Sequence, residues 1–137
     1  MFEKDLMRGH RILVTGGGTG LGRAMSERFL QLGANLVICG RRKAVLDEAA
    51  AQMMREHGGE VRTFGLDIRD AQAVEAMVDE IFAERPLTGL VNNAAVVFPI
   101  GSFVDLTPER VQRSWAVNIT GAFLCAREAV LRMSTDR

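Results

Sequence analysis

Four times in succession along this chain, a short and nearly continuous apolar run gives way to a stretch in which apolar residues recur at helical spacing. Strands that are apolar on both faces need cover on both faces, and intervening helices supply it. The pattern therefore predicts a parallel sheet between helical layers. Right-handed crossovers make this α/β arrangement a doubly wound one. Strands are predicted over Arg11–Thr15, Asn35–Cys39, Val61–Leu66 and Leu87–Val91. The first helix should turn Leu21, Ala24, Met25, Phe29 and Leu32 inward and stop at Gly33. The second should bury Leu46, Ala49, Ala50 and Met53 and end at Gly58-Gly59. Asp70 is placed to N-cap a third, with Val74, Met77, Val78, Ile81 and Phe82 on one face and Pro86 just past its end.

A fourth helix has a strong start. Thr107 can cap, Pro108 suits the first helical position, and Glu109 favours the positive end of the dipole. Apolar residues follow at Val111, Trp115, Ile119, Ala122, Phe123, Ala126, Ala129, Val130 and Met133, which predicts one long helix. Ser134–Arg137 reads as the start of a loop.

Composition narrows the function classes. With 137 residues the chain suits one domain, residues 1–137, and 17 basic against 17 acidic residues call for neither nucleic acid nor an anionic membrane as partner. No apolar run approaches the ~20 residues that span a bilayer, and Met1 to Arg11 has no signal-peptide core. Cys39 and Cys125, far apart in sequence, read as reduced core thiols of a cytoplasmic protein. His10 and His57 are isolated, so no metal site is expected.

The first strand runs into Thr15-Gly16-Gly17-Gly18-Thr19-Gly20-Leu21-Gly22. Glycines let the backbone turn sharply and approach a ligand, and the helix behind them offers unpaired amides and a positive dipole end, both of which suit a phosphate. Strand end to helix start at the first crossover is where a doubly wound sheet takes a dinucleotide. The strict G-x-G-x-x-G spacing is not met, because Leu21 stands in the third glycine's place. A P-loop fails too, since Arg23 and Ala24 replace its Lys and Ser/Thr. What fits is T-G-x-x-x-G-x-G. A turn without a ligand is the alternative reading.

Taken with three further motifs, the loop resembles that of the short-chain dehydrogenase/reductase family. The family's glycine motif is matched by Thr15, Gly16, Gly20 and Gly22. The acid after its third strand is matched by Asp67, followed by Ile68. Its Asn-Asn-Ala-Gly appears as Asn92-Asn93-Ala94-Ala95, and its helical Asn-x-x-Gly-x-Phe as Asn118 to Phe123. The resemblance covers essentially the whole chain and implies a Rossmann fold that binds a nicotinamide dinucleotide. It implies cofactor contacts from Gly16, Gly18, Thr19, Gly20, Leu21, Gly22, Asp67, Ile68, Asn93 and Ala94. Asp67 would contact the adenine, and could equally cap the loop into the next helix. Asn93 could also satisfy loop backbone groups. Asn118, on or beside the apolar face, would serve catalysis by holding a water in a proton relay within a distorted helix, or would lock the helix to the sheet as a satisfied buried amide. Ala95 departs from the family glycine and, together with Gly16-Gly17-Gly18-Thr19-Gly20, resembles the branch acting on enoyl- or dienoyl-CoA substrates.

Gly40 stands where an acid would select NAD, and Arg41 and Arg42 follow. A guanidinium there pairs with the 2′-phosphate of NADP, so NADP(H) is expected over NAD(H); Arg42 can be a surface residue only. The family transfers hydride between nicotinamide cofactor and an alcohol/carbonyl or enoyl-type small molecule, using a Tyr, a Lys four residues later and a Ser beyond the long helix. This chain has no Tyr, and no Lys after Lys43. It is expected to be the cofactor-binding part of such an oxidoreductase, cut short after the fourth strand and long helix and inactive alone. A non-catalytic dinucleotide-binding or regulatory module, or another Rossmann enzyme such as a methyltransferase, are the alternatives. The family's long helix usually packs between subunits, which implies a homo-oligomer.

Overall fold

The computed structural model describes residues 2–97 and 101–134. Four strands, β1 (Arg11–Thr15), β2 (Asn35–Gly40), β3 (Val61–Gly65) and β4 (Gly89–Val91), form one parallel sheet in the order β3-β2-β1-β4. The chain steps outward from β1 to β2 to β3, then crosses back to place β4 on the other side of β1. This is the doubly wound Rossmann arrangement, and it leaves a crevice at the carboxyl ends of β1 and β4 where the direction reverses. Strand boundaries differ from the expected ones by one or two residues: β2 runs on through Gly40, β3 stops at Gly65, and β4 begins only at Gly89.

Alternation along β1 sorts the core into two layers. Ile12 and Val14 join Leu36, Ile38 and Val61 beneath α1 (Gly20–Gln31) and α2 (Lys43–His57), which contribute Leu30, Leu46, Ala49, Ala50 and Met53. Leu13 joins Val37 and Cys39 on the opposite face. There they meet Val74, Met77, Val78 and Ile81 of α3 (Ala71–Glu84) and Cys125 of α5 (Ala122–Met133). Each fully buried aliphatic side chain of this kind contributes about 1.5–3 kcal/mol. The two cysteines, remote in sequence, thus share one buried layer as free thiols; burial pushes Cys39 up to about 12 and Cys125 up to about 11.

Helix ends follow their sequence signals. Gly33 at φ +92° closes α1 with its amide on Leu30 O and that of Ala34 on Phe29 O, a Schellman motif. Asp70 accepts from Gln72 N and Ala73 N at the start of α3. Thr107 accepts from Arg110 N at the start of α4 (Pro108–Trp115). Arg11 has a role no pattern announced. Its buried guanidinium donates to Ile81 O at 2.9 Å and Arg85 O at 2.6 Å, and pairs with Glu84 at 2.8 Å. A cation on the last carbonyls of α3 complements the negative end of that helix.

Two expected helix faces are corrected. In α1 the buried residues are Gly22, Ser26 and Leu30, while Leu21 is 72% exposed and Ala24 is also at the surface. At the start of the helix the reason is distance: α1 lies so close to the glycine loop at Gly22 that a Cβ there would sit 2.2 Å from Gly16 O. The expected single long helix is interrupted by a π-helical segment, Ala116–Gly121, between α4 and α5. A π turn inserts a residue into the 3.6-residue period, so the outward face rotates at that point. Gly121, Cys125, Glu128 and Ala129 are buried, whereas Trp115, Ile119, Phe123 and Val130 are each about 60% exposed. Buried Glu128 is held by Arg132 at 2.7 Å, and Arg132 reaches Asp79 of α3 at 2.6 Å. Of the loop expected from Ser134, residues 135–137 lie outside the described residues.

Candidate functional site

An open cleft of about 360 Å³ lies over the carboxyl ends of the strands. Its floor is the glycine loop, and the loop's geometry separates two kinds of glycine. At Gly22 a Cβ would sit 2.2 Å from Gly16 O and 2.5 Å from Asn93 Nδ2, so this glycine lets α1 press on the loop. At Gly20 the backbone has φ +53° and a Cβ would meet nothing within 4 Å. The chain there faces open space, as a ligand's approach requires.

Helix α1 is left uncapped. Its first intrahelical bond runs from Arg23 N to Thr19 O, so the amides of Gly20, Leu21 and Gly22 precede the helical ladder. Thr19 makes no side-chain cap and no acid occupies the first turn, in contrast to the capped α3 and α4. Unpaired amides and the positive end of the dipole therefore face the cleft.

Thr15 joins the two strand ends that frame the crevice. Its hydroxyl accepts from Asn93 N and Ala94 N, both at 3.0 Å, and donates to Val91 O at 3.4 Å. The Asn93 amide donates back to Thr15 O at 3.0 Å, and Asn92 donates to Ala122 O at 3.1 Å. Asn93 thus satisfies loop backbone groups, one of its two expected roles. Asn118 lies in the π-helical segment, exposed rather than on a buried face. Its Oδ1 accepts from Val96 N at 2.8 Å, and its Nδ2 donates to Val96 O at 3.0 Å and to Ser114 Oγ at 3.3 Å. The side chain locks the helix to the loop after β4, and it does so outside the core.

At the far end of the cleft, Asp67 forms a turn by accepting from Arg69 N at 3.0 Å. It also takes the Arg69 guanidinium on both oxygens, at 2.6–3.0 Å. Those bonds hold its carboxyl down at about 2, with a further contribution from the nearby charge of Arg41. Arg41, Arg42 and Arg113 line the same cleft, and among the described residues none of the three has a side-chain hydrogen bond or ion pair.

The family model described as short chain dehydrogenase matches residues 10–137. The chain belongs to the short-chain dehydrogenase family. It is 37% identical over 123 residues, 89% of its length, to the uncharacterized oxidoreductase YgfF of Escherichia coli (strain K12), of which it covers 50%. Its fold matches the citronellol catabolism dehydrogenase (AtuB) of Pseudomonas aeruginosa PAO1 with TM-score 0.89 at 34% identity, over 96% of this chain and 54% of that one. An NAD+-bound xylitol dehydrogenase matches with TM-score 0.90 at 27% identity, over 96% and 50%. The chain thus spans about half the length of each of these three proteins.

The structure brings Gly16, Gly18, Thr19, Leu21, Gly22, Arg41, Arg42, Asp67, Ile68, Asn93 and Ala94 together around the cleft. Two of the residues singled out by sequence do not line the cleft itself: Gly20 is exposed between Thr19 and Leu21, which do line it, and Asn118 is bonded to Val96. Sequence reasoning missed Arg69, Arg113, Val96 and Val117. The last two lie one residue from a recognised motif. Arg113 lies one helical turn before Val117, a spacing that could have revealed it. Among the described residues, no helix is long and apolar enough to cross a membrane.

Proposed function

We propose that this chain holds the dinucleotide of an NADP(H)-dependent oxidoreductase that transfers hydride between the nicotinamide and an alcohol/carbonyl or enoyl-type small molecule. The observation that carries the reading is the uncapped start of α1 opening on the same cleft as the guanidinium of Arg41, which has no side-chain hydrogen bond or ion pair among the described residues. The residues fit the group: the amides of Gly20, Leu21 and Gly22 would hold the pyrophosphate. Arg41, with Arg42 beside it, would hold the 2′-phosphate through charge-assisted hydrogen bonds, and Asp67 with Ile68 would meet the adenine. Bound there, the nicotinamide supplies the hydride. The chain's own residues bind and orient, and Asn118 positions the loop through Val96 beside that end of the cleft.

With no tyrosine among its 137 residues, the chain taken alone would bind cofactor without turnover. Titration with NADPH and NADH tests the assignment. Arg41→Ala should weaken NADPH roughly 10- to 150-fold, as expected from the 1.5–3 kcal/mol of a charged hydrogen bond, and leave NADH nearly unchanged. Equal loss for both cofactors would make Arg41 structural and remove the basis for NADP(H).

A further inference from the structure

We infer that Arg69 is a specificity-determining residue for the cofactor, acting through Asp67 by masking its charge. The inference rests on placing the adenosine end of the cofactor at Asp67 and Arg41. Asp67 is the one acidic side chain among the described residues lining the cleft, and Arg41 is near enough to lower its pKa. A bare carboxylate there would repel a 2′-phosphate and compete for Arg41. In this chain the carboxylate is neutralised instead by the Arg69 guanidinium, with Nη2 at 2.6 Å from Oδ2 and Nε at 3.0 Å from both oxygens, and the Arg69 amide fixes Oδ1 at 3.0 Å. The fork geometry takes up the carboxylate in a way a point charge would not. With Asp67 masked, Arg41, Arg42 and Arg113 give the cleft an uncompensated positive field. The family motif ends at Asp67-Ile68, and Arg69 lies just beyond it.

The charge to be unmasked is common to both cofactors' binding, while the 2′-phosphate is present only in NADPH. The ratio of NADPH to NADH affinity, taken relative to wild type on the full chain, therefore isolates the effect from any general damage to the adenine end. Arg69→Gln should lower that ratio about three- to tenfold at low salt, with the loss shrinking as salt rises. Arg69→Lys should lower it less. Adding Asp67→Asn to Arg69→Gln should return the ratio toward wild type, since the unmasked charge is gone. An unchanged ratio in Arg69→Gln overturns the inference, and so does a double variant that stays as low as the single one, because Arg69 would then be touching the phosphate itself. Arg69 is exposed, and thermal unfolding of Arg69→Gln near the wild-type midpoint is expected. A wild-type chain that binds both cofactors without preference overturns the NADP(H) reading instead, and the shift on Arg69→Gln still decides the present one. Failure to bind either cofactor overturns both.

Discussion

Gly20 and Gly22, two positions apart, do opposite work. Gly22 is a packing residue, with Gly16 O where its Cβ would be, and Gly20 is an open one held at φ +53°. Gly22→Ala should therefore destabilise the chain by about 1–3 kcal/mol through overpacking, seen as a lower Tm. Gly20→Ala should cost about 1–2 kcal/mol for a left-handed alanine and abolish NADPH binding in a calorimetric titration. If Gly20→Ala binds normally, the loop does not approach a pyrophosphate. Asp67 carries a pH dependence. Its carboxyl, at about 2 rather than 3.8, is favoured in the ionised form chiefly by Arg69. A depressed folded-state value means that the stability it contributes is fully present above pH ~4 and is lost as pH falls through 2. Carbon-detected titration of the Asp67 carboxyl should find that midpoint, and Arg69→Gln should move it upward. A midpoint unmoved in Arg69→Gln would exclude the guanidinium as its cause.

At the scale of elements, the end of α3 depends on a residue of β1. Arg11 binds the carbonyls of Ile81 and Arg85 and the carboxylate of Glu84 from a buried position. Arg11→Met would keep the apolar stem and leave the carbonyls of Ile81 and Arg85 without this donor, while Glu84 keeps its pairing with Arg62 at 2.6 Å. A loss of about 2–4 kcal/mol is expected in denaturant unfolding, with faster amide exchange in the last turn of α3. Arg11→Lys should recover only part of it, because one ammonium cannot reach three acceptors in a fork. No change in Arg11→Met would mean that solvent satisfies those carbonyls. The π segment is the other element-level device. It turns Gly121 onto Ile68, where a Cβ would lie 2.7 Å from Cγ1, and presents Asn118 to Val96.

The whole molecule leaves apolar surface in view. β4 pairs with β1 on one side only, and Trp115, Ile119, Phe123 and Val130 stand exposed along α4, the π segment and α5. An unpaired strand edge and an apolar stripe both favour association. The chain alone should elute in size-exclusion chromatography at a size that grows with concentration. Replacing both Trp115 and Phe123 with Glu should reduce that growth without lowering Tm, since neither side chain is buried. A monodisperse monomer at every concentration would show that the edge and stripe are protected in the chain itself. Oxidation of NADPH above buffer rate by the same sample, with simple carbonyl substrates, would mean that this chain supports turnover without a tyrosine.

By itself the sequence determined the order and kind of elements, the caps at Asp70 and Thr107, the inward faces of α2 and α3, and most of the cleft's lining. These are properties of near neighbours in the chain: apolar period, capping chemistry and short motifs each carry their own physics within a few residues. Tertiary structure decided the faces of α1 and α5, because a helix that meets the glycine loop at Gly22 has Gly22, Ser26 and Leu30 on its buried side and leaves Leu21 exposed. It decided that Arg11 would close a helix some seventy residues away. It also decided that Arg69 would neutralise Asp67 while Arg41, Arg42 and Arg113 stayed unpaired among the described residues. Which charges cancel depends on distances through space, and spacing along the chain does not encode them.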